Sequence, residues 1–72
     1  MPGLEVISGT LVGNPYQSCA QLRTASGVTY LSQGVPAPGF SEGDSVRITF
    51  EGKQPRNCNG PTIKVVGIEH AN

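Results

Sequence analysis

Seventy-two residues with five acidic and five basic side chains make one small domain, residues 1–72, with no net charge. A chain this short buries only about 60% of the surface its unfolded form exposes, so its core is small. The missing basic excess argues against nucleic acid as a partner, no apolar run reaches the length of a membrane-spanning helix, and no basic segment followed by an apolar one opens the chain.

The opening "MPGLEV" fits either a natural start or a start placed on a mature domain after removal of a leader. Ten glycines and six prolines are scattered between alternating segments, the composition of a turn-rich β domain rather than of a disordered chain. The first strand is expected over roughly residues 4–12. Its parity slips: Leu4 and Val6 share one face, Ile7 and Leu11 the other, with Gly9 between. A strand that serves two faces around a glycine suits a small barrel at a corner.

"CAQLRT" and "GVTYLS" follow as two strands joined by "ASG", a short glycine-containing hairpin. Ala20 and Leu22 are expected to face inward, and Val28 and Tyr30 to share a face. "QGVPAPGFSEGD" holds too many prolines and glycines for a helix, and "SEGD" reads as a turn steadied by the Asp44 side chain. "SVRITFE", 45–51, alternates cleanly, with Val46, Ile48 and Phe50 on the core face. "TIKVVGIE", 62–69, is the fifth strand, and its slip between Val65 and Val66 beside Gly67 predicts a bulge.

Three strands in a meander, a crossing loop and a wide hairpin give an all-β protein, a five-stranded OB-fold-like small barrel, with an SH3-like barrel as the rival. Two cysteines are present. Cys19 begins the second strand, and Cys58 lies in "GKQPRNCNGP", where nothing else could form a core. In an OB-type barrel the loops joining strands one and two and strands four and five flank one face, which would bring the two sulfurs together. A Cys19–Cys58 disulfide is the expectation, and with it an oxidising compartment, periplasmic or secreted. The alternative is two unpaired thiols, Cys19 buried and Cys58 exposed, in a cytoplasmic protein. Two cysteines and His70 lack the spacing of a metal site.

The series "SCAQLRTASGVTYLS", "GDSVRITF" and "NCNGPTIKVVGIE" resembles an uncharacterised bacterial family of small OB-like barrels. That family shows a Cys-x-x-Leu strand, a Gly-x-x-Tyr-x-Leu strand, a Gly-Asp-x-Val-Arg-Val strand and a second cysteine before the last strand. The resemblance spans about residues 9 to 69 and implies export without implying an activity. The loop "GVPAPGF" is longer here, and Phe50 stands where the family often has glycine. "ASGVTY" and "GFSEGD" are also faintly similar to elements of periplasmic inhibitors of C-type lysozyme, although the tryptophan of that family is missing and Glu42 stands in place of its lysine.

Catalysis by a Ser or Cys nucleophile needs a histidine oriented by an acid. Only His70 is available, on an end expected to fray. Glu42 and Asp44 flank a turn glycine, a Ca²⁺ loop needs more oxygen ligands, and no phosphate loop is present. The expectation is no enzyme, no cofactor and no metal. A binding surface is the better proposal: Asn14, Tyr16 and Gln17 from one loop, with Lys53, Gln54, Arg56 and Asn57 from the other, form a polar, mildly basic rim around one aromatic. The function expected is a small exported, non-enzymatic binding module for a protein or cell-envelope component, as a monomer or weak dimer. The alternatives are an OB-type single-stranded nucleic-acid binder and a lysozyme-inhibitor-like protein.

Overall fold

A computed structural model describes residues 3–54 and 58–71, with Lys53 and Gln54 as backbone only. Its strands are β1 (Glu5–Val12), β2 (Ala20–Thr24), β3 (Gly27–Leu31), β4 (Ser45–Gln54) and β5 (Thr62–His70). They close into a barrel in the order β1-β2-β3-β5-β4, with β4 returning to pair with β1. All neighbours are antiparallel except β3 and β5, which run parallel. The all-β, five-stranded reading is borne out. Among the described residues no helix is long and apolar enough to cross a membrane.

The alternation read in "SVRITFE" is the reason β4 anchors the core. Val46, Ile48 and Phe50 are buried and meet Leu11, Leu22, Leu31 and Ile63. Ala20 and Leu22 face inward as expected. The predicted bulge in β5 is present: Thr49 pairs with Gly67 and Phe50 with Val65, which leaves Val66 as the extra residue.

The two-faced first strand needs correction. Ile7 and Leu11 point inward, but Leu4 and Val6 serve no second core and stay 60% and 59% exposed. Gly9 has a different cause. A Cβ there would lie 2.4 Å from the Arg23 carbonyl oxygen and 2.9 Å from Leu22 Cγ, so glycine lets β2 cross β1 at van der Waals distance.

The strands differ in length, and this shapes the molecule. β2 and β3 are five residues each, whereas β1, β4 and β5 have eight, ten and nine. β1 therefore pairs with β2 only through Thr10–Val12, while Glu5–Thr10 pair with β4 on the other side. Similarly, β3 meets β5 only at Tyr30 and Leu31.

Candidate functional site

The β1–β2 loop is locally wound. Asn14 Oδ1 accepts the Tyr16 N–H at 3.0 Å, and the Asn14 carbonyl accepts the Gln17 N–H at 3.4 Å. The wound loop then docks on the β3–β4 connection. Val35 N–H donates to the Pro15 carbonyl at 2.9 Å. Tyr16 Oη donates to the Ala37 carbonyl at 2.9 Å and accepts the Phe40 N–H at 3.1 Å. At Gly34, whose φ is +77°, a Cβ would lie 2.7 Å from Pro15 O and 2.9 Å from Gln17 O, so only glycine fits between the two loops.

These contacts change the expected rim. Tyr16 stays 45% exposed, but its hydroxyl both donates and accepts in loop closure. Asn14 is spent on the turn. Lys53 and Gln54 are not loop residues: β4 runs on past a register shift, and they pair with Ile63 and Thr62. Arg56 and Asn57 lie outside the described residues. Among the described side chains of the expected rim, Asn14 and Tyr16 are thus committed to loop structure and Gln17 is exposed.

The two loops are joined. Cys19 and Cys58 form a disulfide across a Cα–Cα distance of 5.5 Å, and Cys58 is only 5% exposed. Cys19 precedes β2 rather than beginning it, in a left-handed conformation with φ of +59°. The strand-four-to-five loop continues across the outer side of β3. Gly60 lies against the Tyr30 ring, where a Cβ would come within 2.8 Å of Cε2, and the Pro61 carbonyl accepts the Tyr30 N–H at 2.8 Å. Thr62, fully buried, donates its hydroxyl to the Gly60 carbonyl at 3.0 Å.

The expected frayed end is also corrected. His70 pairs with Val46, stacks on Phe40 with ring centroids 4.3 Å apart, and its Nε2 lies 3.2 Å from the Gly39 carbonyl. As expected, Asp44 closes the "SEGD" turn: its carboxylate accepts the Ser41 N–H at 3.0 Å. Its other near neighbour is His70 Nδ1 at 4.0 Å. Among the described residues, no three His, Cys, Asp or Glu side chains gather as a metal site would need.

A groove of about 250 Å3 lies beside the clipped loop. Ile7, Phe50, Ile63, Pro61 and Val28 make it mainly apolar, and the hairpin residues Ser26 and Gly27 form one lip. Val28 is 38% exposed on that lip. The groove was missed in the sequence because its walls come from four strands with different registers. The available signals were Val28 on the same face as Tyr30 and a hairpin too short to cover its neighbours. A second cleft of about 120 Å3, between Gln33–Pro36 and Lys64–Val65, is smaller and more polar.

Fold and site together define a small β-barrel whose two loops are clipped by a disulfide beside an apolar groove. No family model matches the chain, and neither a curated protein nor a solved structure is significantly similar to it.

Proposed function

We propose that this protein is an exported, non-enzymatic binding module of OB type that recognises another protein at the groove between the β2–β3 hairpin and the clipped loop. The OB assignment rests on the strand order β1-β2-β3-β5-β4, with β1 shared between β2 and β4. Export rests on the bonded pair of cysteines, which is compatible with an oxidising compartment, and on the resemblance to exported bacterial barrels.

One observation carries the binding reading: a mainly apolar concavity opens next to a loop held by a covalent tie. The tie orders the loop before any partner arrives, so binding does not bear that cost. A protein fits this lining better than a glycan does, because the lining offers few polar groups and the Tyr16 hydroxyl is already engaged. The described cations form no stripe: Arg47 is paired with Glu69, and Arg23 and Lys64 stand on different strands. That disfavours a nucleic-acid strand.

The test is a photo-crosslinking side chain at position 28, installed in the exported protein in its own envelope or medium. A protein adduct that diminishes strongly when Cys19 and Cys58 are both replaced by alanine supports the reading. Adducts only to lipid or glycan, no adduct, or an adduct insensitive to loss of the pair overturns it. Reduction of the native-source protein should also raise its intact mass by two hydrogens, and an unchanged mass removes the argument for export.

A further inference from the structure

The short hairpin leaves a backbone edge open as well as a groove. Leu11 N–H donates to the Asp44 carbonyl on the β4 side. By the two-residue alternation of a strand, Gly9, Ile7 and Glu5 also turn their N–H and C=O groups toward β4, where they pair with Val46, Ile48 and Phe50. Thr10 and Val12 turn theirs toward β2, where Arg23 and Gln21 stand opposite. Val6 and Ser8 have the same parity as Thr10 and Val12, but β2 has already ended at Thr24. Among the described residues no strand stands across from them, and both are exposed.

This open edge borders the groove. Ile7, between Val6 and Ser8, is one of its walls, and Phe50 is the next. A segment laid along Val6–Ser8 would occupy the place where β2 is too short. Its side chain opposite Ile7 would point into the apolar concavity, as Leu22 points into the core opposite Leu11 four residues further along β1. Glu5 is on the same inward row, directly across from Phe50, and is exposed at the mouth. Arg23, by contrast, lies outward on β2, on the face opposite the buried Leu22.

We infer that the partner contributes an extended segment that adds as a strand to the Val6–Ser8 edge, sinking one apolar side chain beside Ile7 and Phe50 and setting a basic side chain against Glu5. The inference rests on the groove being the binding site. Main-chain bonds to a sheet edge give affinity without sequence, and the alternating pockets give selectivity. The charge at the mouth also argues against a second copy as occupant. The corresponding edge of a second copy is β1 itself, "EVISGTLV", which holds no cation. An open apolar-flanked edge is otherwise a hazard for association, so a partner strand gives it a use.

The probe is a blocked pentapeptide, Lys-Thr-Val-Thr-Lys, whose lysines share the valine's face and reach Glu5 in either strand direction, compared with Glu-Thr-Val-Thr-Glu and with a version N-methylated at alternate amides. Backbone NMR and amide exchange are recorded on the full oxidised protein. The lysine peptide should slow exchange at the Val6 and Ser8 N–H and bind about fivefold more tightly than the glutamate peptide. Glu5→Gln should erase that preference, and N-methylation should abolish binding. Ser8→Pro removes one edge donor at a position where an edge strand accepts proline, so it should block the peptide while the fold survives. If that variant does not fold, Glu5→Gln alone still decides the charge term.

Protection elsewhere but not at Val6 and Ser8, equal affinity for the two peptides, or no binding overturns the inference. So does protection of Val6 and Ser8 that grows with protein concentration without peptide, which would mean a second copy. Any of these with a persisting protein adduct from position 28 leaves the proposed function standing and removes only strand addition.

Discussion

Removing the Cys19–Cys58 tie with a Cys19→Ala/Cys58→Ala double variant probes the molecule at its most consequential point. The bond spans 39 positions of sequence. On the chain-entropy model a closed loop of that size restricts the unfolded ensemble by about 4 kcal/mol, between the values for shorter and longer loops. Two further terms act in the native state. Relaxing the left-handed backbone at Cys19 returns about 1 kcal/mol. Emptying the space of the buried Cys58 sulfur costs about as much. They offset, so the expected loss stays near 4 kcal/mol. At ~0.05–0.15 kcal/mol per residue, a chain of 72 residues has about 4–11 kcal/mol of stability in all. The variant should therefore lose between a third and all of its margin. Urea unfolding followed by tyrosine fluorescence and circular dichroism measures it, and the slope should also rise because the uncrosslinked chain exposes more surface. A midpoint and slope equal to those of the parent would refute the assignment of stability to this tie.

Three other substitutions test the packing argument. Gly9→Ala should destabilise by about 3 kcal/mol or more, read from the same urea curves, because backbone rather than a flexible side chain stands 2.4 Å from the new Cβ. Tyr16→Phe removes two hydrogen bonds between the β1–β2 loop and residues 37–40 and should cost about 1–2 kcal/mol, with faster amide exchange at Phe40 as the local signature. Arg47→Ala breaks the 2.6 Å contact with Glu69, but both side chains are about half or more exposed, so the loss should stay below about 1 kcal/mol.

The clean alternation of Val46, Ile48 and Phe50 made β4 legible because a single buried face imposes one parity on every residue. The bulge at Val66 was legible for the same reason: a break in parity must be absorbed by an extra residue. The cysteine pair was legible through topology rather than through spacing. What could not be read were contacts between loops. Nothing in "NPYQS" says that the Tyr16 hydroxyl will be spent on residues more than twenty positions away, since that depends on how the thirteen-residue β3–β4 connection folds back. His70 was misjudged for a related reason. Its nearness to the chain end suggested fraying, but Phe40 and the Gly39 carbonyl, from the connection that leads into β4, hold it.

The shift of the candidate site from the polar rim to the groove follows from strand lengths. A hairpin of five-residue strands cannot cover neighbours of eight to ten residues. Somewhere along the seam, backbone groups and apolar side chains must be left without a partner. β1 shows the consequence: Thr10 is paired with both β2 and β4, and Glu5–Gly9 only with β4. The same glycine that brings β2 within contact distance marks the last place where β2 can reach. Lengthening the hairpin would close the seam and fill the groove with the protein's own side chains. Its shortness therefore leaves an open edge and an apolar floor side by side, and one extended segment can satisfy both at once.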